Sequence, residues 1–473
     1  MQFGGNYWRG SFAILVLAFS FAPSSEGAET ALDRYVKKED PTYAWKVVSE
    51  TPVEGGTQFV LELTSQTWRT EKEVDRPVWK HWLTILKPNE VESKIGFLFI
   101  VGGANDSAPP KVPDARTIAI AKSTKSVVAE LKMVPNQALI FHQDNTPRKE
   151  DDLIGYTWDQ FLKTGDETWP ARLPMVKSAV RAMDAIQEFM ASDKGGKVTV
   201  DQFVVAGGSK RGWTTWCTAA VDKRVVAAVP IVIDVLNVHD SMAHHASVYG
   251  FYAEAVGDYM HHKIMQRRDH PRLKELYAIE DPFSYRERFT MPKYIVNASG
   301  DQFFVPDSSK FYYDELPGEK YLRYVPNADH GLGESDALQS IIAFYSTVLK
   351  GTKRPEYSWT FEKDGSIKVK TSSNPKKVLL WQATNPKARD FRTDTIGKAY
   401  KSTELNEESP GVYVGRITPP KEGYSAFFVE LEYDVDAPFT FKVSSAVRIL
   451  PEKVPFPDID PAKAPYELQK DAK

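Results

Sequence analysis

A serine hydroxyl becomes a nucleophile only when a base takes its proton, and the base needs a third group to hold its tautomer. Three residues of this 473-residue chain occur in an order that could supply those parts: Ser209, then Asp301, then His330. Ser209 lies in VVAGGSKRG (204–212), where a β-rich run meets glycines and leads into a helix-forming stretch. A strand that turns sharply into a helix needs small neighbours at the turn, and it holds the serine above the sheet edge near the positive end of the helix. The G-x-S-x-G pattern is not quite met, because Lys210 and Arg211 precede Gly212 and the second glycine comes one place late.

The remaining candidates surround these three. Asp301 is the favoured acid and Asp234, at the end of VPIVID, is its rival. Asp329 is disfavoured, because neighbouring side chains on an extended loop point apart. The loop after IGFLFIVGG (95–103), at Gly102 and Gly103, is where an oxyanion hole is expected, with the backbone N–H of Lys210 as the second donor. Losing one such donor costs about 3–4 kcal/mol of transition-state stabilisation. The side chains of Lys210 and Arg211 are read either as binding a substrate carboxylate or as exposed or paired with Asp222 or Asp234.

The flanking elements must bring these residues together. IGFLFI and VTVDQFVVAGG read as buried strands, the first continuously apolar as in a parallel sheet covered on both faces. The segments 222–237, 292–300 and 320–326 read as further strands. Residues 173–193 form an amphipathic helix with Met175, Ala179, Met183, Ile186 and Met190 on one face. Strand, elbow, helix, strand is the context the serine motif requires. Loops at the carboxyl ends of parallel strands converge on one face, which is how distant residues can meet.

Elsewhere, 31–47 reads as charged helix or coil, 56–69 and 77–88 as an antiparallel edge pair, 114–131 as helix, 137–143 as a buried strand, and 144–172 as a polar excursion. The expected fold is an α/β-hydrolase with a mostly parallel central sheet in 29–351. A helical cap is expected at about 238–290, then a small β-sandwich-like domain at 352–452 and a Pro-rich tail, mobile or surface-bound, at 453–473.

Composition narrows the function. Hydrophobic residues at 42% and charged residues at 26% are ordinary for a globular protein. A net charge of −3 argues against a nucleic-acid partner. Residues 1–28, with one Arg and the apolar run SFAILVLAFSFA, read as a signal peptide, so the mature chain is expected to be exported, periplasmic or extracellular, with no integral membrane segment. The single cysteine, Cys217, permits no internal disulfide and is assigned to packing. His239, His244, His245, His261, His262 and His270 cluster with several aspartates. They lack a recognised metal spacing, and the glycine pairs match no nucleotide motif, so no metal or cofactor is expected.

Several separate stretches together resemble the PhoPQ-activated pathogenicity-related protein family, a group of mostly secreted or periplasmic proteins with an α/β-hydrolase core. These are VGGAND (101–106), GGSKRG with Trp213, AVPIVIDVLN (228–237), IVNASGDQFF (295–304), YVPNADHGL (324–332) and WQATNPKARDFR (381–392). The resemblance implies Ser209 at the nucleophile position, Asp301 at the acid and His330 at the base, and names no substrate. Two functions follow. One is a serine hydrolase acting on a small-molecule ester or a peptide. The other is a non-catalytic secreted binding or signalling protein on the same scaffold.

Overall fold

The computed structural model describes Met1, Gln2, Gly4, Gly5 and residues 29–469. The expected signal peptide therefore falls almost wholly outside the described residues. Helix α1 (Ala31–Lys37) is the first element of the described residues, capped by Thr30 and Asp33. Strands β1 (Ala44–Val53), β2 (Gly56–Thr67) and β3 (Val78–Pro88) follow, then β4 (Ile95–Ile100), helix α2 (Ala115–Thr124), β5 (Val128–Leu131) and a two-residue hairpin, β6 (Leu139–Ile140) with β7 (Pro147–Arg148). Next come α3 (Glu150–Thr164), α4 (Arg172–Ala191), β8 (Gln202–Gly208), α5 (Lys210–Val221) and β9 (Val225–Ile231). Helices α6 (Val238–Tyr249), α7 (Gly257–His261) and α8 (Pro271–Glu280) lead to β10 (Lys293–Ala298), β11 (Lys320–Val325) and α9 (Ala337–Lys350).

Among the described residues the central sheet has nine strands in the order β1-β2-β3-β5-β4-β8-β9-β10-β11. From β5 to β11 every pair is parallel, and β1, β2 and β3 form an antiparallel margin. Alternation along the central strands explains the two covered faces. Leu98, Ile100, Phe203 and Val205 enter the core that holds α4 and α5, whereas Phe97, Phe99, Val204 and Ala206 enter the one that holds α2 and α9. The methionines of α4 are fully buried in the first core. Chain order reverses around β4, which has β5 on one side and β8 on the other, so a crevice opens beyond the carboxyl ends of β4 and β8.

Several local expectations are corrected. The sheet margin begins one strand earlier than expected: Ala44–Val53 is a strand, its residues alternating between exposed and half-buried. Only Ala31–Lys37 of the first segment is helical. The strand expected at 137–143 shrinks to the β6–β7 hairpin, and the sheet position belongs to Val128–Leu131, inside the stretch read as helix. Four residues too short to show a period, VAEL is settled by its ladder to β4. The polar excursion at 144–172 contains α3, which buries Leu153, Trp158 and Phe161 under its acidic first turn.

Helices α3, α6, α7 and α8 cover the carboxyl end of the sheet as a cap. After α9 the chain is nearly all β. One antiparallel sheet joins Tyr357–Phe361, Ile367–Thr371 and Val412–Gly415, and another is built on Lys377–Asn385 and Tyr424–Tyr433. This region packs on the edge strand β11, where Tyr324 N–H donates to Ser444 Oγ at 2.9 Å. The last described stretch lies across the cap: Phe456 N–H donates to the Ser247 carbonyl at 3.0 Å and Tyr252 N–H to the Pro465 carbonyl at 2.8 Å.

Candidate functional site

Ser209 sits between β8 and α5 with φ 57° and ψ −127°, a conformation that costs a non-glycine residue about 1–3 kcal/mol and persists only where its surroundings impose it. Its N–H donates to the Ile231 carbonyl at 2.8 Å and its carbonyl accepts the first helical bond, from Trp213 N–H at 3.0 Å. Two glycines make the turn possible. A Cβ on Gly207 would lie 2.6 Å from the Arg211 carbonyl, and one on Gly212 would lie 2.8 Å from the Ile231 carbonyl. The tight contact between strand and helix thus falls at Gly212, one residue later than G-x-S-x-G places it, and that explains how Arg211 is tolerated. Lys210 opens the helix, so its N–H belongs to the first turn, whose donors lack intrahelical partners.

Asp301 and His330 leave the ends of β10 and β11. His330 Nδ1 lies 2.8 Å from Asp301 Oδ2 and 3.0 Å from Oδ1. The carboxylate is itself held, accepting at Oδ1 from the N–H groups of Phe303 and Phe304 at 2.7 and 3.3 Å. His330 N–H donates to Gln302 Oε1 at 3.0 Å, and the Phe303 ring packs on the imidazole with centroids 4.2 Å apart. The outer nitrogen, His330 Nε2, is buried without a hydrogen-bond partner among the described residues. His330 and Ser209 line one open cavity of ≈ 370 Å³, with Gly102 on its wall. Gly103 follows with φ 140°, its carbonyl accepting from Gln137 Nε2 at 3.1 Å.

Asp234 makes no hydrogen bond to the histidine. Its carboxyl accepts from Tyr312 Oη at 2.7 Å and Tyr324 Oη at 2.6 Å, and burial pushes its pKa up to about 7. The expected ion pairs of Lys210 and Arg211 with Asp222 or Asp234 are corrected. Arg211 grips Glu150 through both terminal nitrogens at 2.9 and 2.7 Å, and Lys210 Nζ lies 2.8 Å from Glu150 and 3.1 Å from Asp151. The reason is topological: α3 enters the cap with its acidic first turn directly over the elbow. Burial works to raise the Glu150 pKa, yet the Arg211 guanidinium and Lys210 ammonium hold it well below the usual carboxylate range.

Sequence reasoning missed the charges behind the serine. Arg172 at the start of α4 stacks on Trp213 at 3.9 Å and approaches Glu280 at 3.6 Å. Burial, opposed by Arg172, raises Glu280 to about 7. The run Glu150-Asp151-Asp152 was the only available signal, as the acidic opening of a helix.

The clustered histidines separate in space. His244 Nε2 lies 3.0 Å from Asp307, which also pairs with Arg389 at 2.8 Å, and His262 Nε2 lies 2.7 Å from Asp152. Buried His245 accepts from Ala253 N–H at 3.0 Å, and burial lowers its pKa to about 3. Among the described residues no group of three or more His, Cys, Asp or Glu is placed to hold a metal ion, and no helix is long and apolar enough to cross a membrane. Cys217 is buried, its thiol pKa pushed up by burial.

A parallel sheet reversing around β4, a strained serine after the strand beside it, and a cap of helices define an α/β-hydrolase fold with an additional all-β region. The chain belongs to the PhoPQ-activated pathogenicity-related protein family, which matches residues 32–392. It is 41% identical over 458 residues to autocrine proliferation repressor protein A of Dictyostelium discoideum, covering 90% of this chain and 92% of that protein. Among solved structures, acetyl xylan esterase 1 from Thermoanaerobacterium sp. JW/SL YS485 is 14% identical, covering 67% of this chain and 92% of that one, with a TM-score of 0.46. A glucuronoyl esterase from Sporotrichum thermophile is 11% identical over 69% of this chain and 82% of its own, with a TM-score of 0.40.

Proposed function

We propose that the protein is an exported serine hydrolase that cleaves an ester or amide bond, peptides included, by acyl transfer. The observation that carries this reading is the unpartnered, buried His330 Nε2 in the cavity it shares with Ser209, its other nitrogen held by Asp301. Ser209 Oγ attacks the carbonyl carbon while its proton passes to His330 Nε2. Asp301 holds the tautomer and stabilises the imidazolium. The N–H groups of Lys210 and Gly103 face the developing oxyanion. His330 then returns the proton to the departing oxygen or nitrogen, leaving an acyl-enzyme. Water attacks that ester, gives its proton to the same nitrogen, and frees the acid and Ser209. Arg211, held by Glu150, braces the elbow rather than binding substrate.

A second reading is a secreted binding or signalling protein on the hydrolase scaffold, favoured by the name of the 41% identical relative, a proliferation repressor. A fluorophosphonate probe separates the two. Wild type is labelled, and Ser209→Ala and His330→Ala are not. An unlabelled wild type, under conditions where a control hydrolase reacts, leaves the second reading.

A further inference from the structure

Two cavities meet at Ser209, and they differ in size, lining and access to the histidine. The open one, ≈ 370 Å³, contains His330, Gly331 and Gly102. The other, ≈ 50 Å³, runs beneath the cap between Trp213, Ile233, Val238, Met242 and Phe304, and His330 is not on its wall. The bond that breaks in acyl transfer joins the carbonyl carbon to the leaving atom, and that atom must lie within reach of His330 Nε2 to take its proton. The leaving group therefore occupies the open cavity. The substituent that stays on the carbonyl carbon is directed into the narrow one.

Size and charge then select the acyl group. One water-sized group needs about 10–15 Å³ of such volume, so the narrow cavity takes about three to five non-hydrogen atoms. The charged groups on its wall are engaged with one another: Lys210 with Glu150 and Asp151, and Arg172 with Glu280 and the Trp213 ring. A charged acyl group would find no free counter-ion there and would lose its hydration. The roof is tied down, since Tyr259 on α7 donates to Asp151 Oδ1 on α3 at 3.1 Å and Asp151 in turn pairs with Lys210 Nζ at the elbow at 3.1 Å, so a longer chain cannot be housed without parting cap from core.

We infer that the substrates are esters or amides of short uncharged acyl groups, acetyl to hexanoyl, on a much larger alcohol or amine. This rests on the acyl-transfer reading above. The test is a series of p-nitrophenyl acetate, butyrate, octanoate and dodecanoate, run beside fluorophosphonate labelling with a probe whose long arm can lie in the open cavity. Wild type is labelled at Ser209, and kcat/KM falls about tenfold or more from butyrate to octanoate, as expected when several methylenes are refused. Met242→Ala and Val238→Ala, which widen the narrow cavity, each raise the octanoate-to-acetate ratio of kcat/KM several-fold. Labelling with equal kcat/KM along the series, or an unchanged ratio in both variants, overturns the short-acyl assignment and leaves the hydrolase intact. Absence of labelling removes both.

Discussion

Asp234→Asn isolates a buried carboxyl whose ionisation works against the fold. Asp234 is 3% exposed, accepts from two tyrosine hydroxyls, and has its pKa raised by burial from 3.8 to about 7. Between those values the folded protein keeps a proton that the unfolded chain has released. The stabilisation is complete below about pH 4 and is lost as pH rises through about 7. The difference of about three pKa units corresponds to about 4 kcal/mol across that window. Asparagine has nearly the same shape and cannot ionise, so the variant lacks this slope. Thermal unfolding of both proteins from pH 4 to pH 8 should show the midpoint difference, variant minus wild type, moving steadily in the variant's favour and levelling off above pH 7. Parallel curves over the whole range would refute the account, because they would mean that Asp234 ionises in the folded protein as readily as in the unfolded chain.

Other perturbations act on the elbow, the acid and the tail. Asp301→Asn should lower the second-order rate of fluorophosphonate labelling by about 10⁴-fold, as expected when the base loses its tautomer, whereas Asp234→Asn should lower it less than tenfold; the reverse order would make Asp234 the acid. Gly212→Ala puts a Cβ 2.8 Å from the Ile231 carbonyl and should destabilise the fold by about 1–3 kcal/mol in denaturant titration, more than Gly208→Ala, whose nearest new contact is 4.0 Å. Deleting the chain after Glu452 uncovers Gly250 and Gly257, against which Phe456 and Tyr466 pack, and removes the bonds to Ser247 and Tyr252. Limited proteolysis should then cut within 238–290 faster than in the full chain, and equal rates would show that the tail does not secure the cap.

The parts legible in the sequence share one physical property: their signal is local. IGFLFI and VTVDQFVVAGG announce buried parallel strands because both faces are covered, so every position is apolar. The methionine stripe of α4 declares one buried face through its period. Gly207 and Gly212 reveal the elbow around Ser209 because a close backbone approach excludes a side chain at each of the two glycines. Ser209, Asp301 and His330 could be picked out because each follows a strand, and their chain order suits this sheet.

Other features depended on pairing across long separations. Val128–Leu131 is a strand because β4 and β3 flank it, and four residues carry no period of their own. Two aspartates could claim His330 in the sequence. Which one touches it follows from the loop ends of β10 and β11 lying side by side, while Asp234 turns to Tyr312 and Tyr324. The partners of Lys210 and Arg211 lie about sixty residues upstream, on a helix that crosses the elbow only in three dimensions. The sequence by itself determined the buried central strands, the elbow and the residues able to do chemistry, since burial and steric exclusion act residue by residue. Tertiary structure alone decided which charges pair and how much room lies on either side of Ser209, because those depend on distances between segments that the chain order does not set.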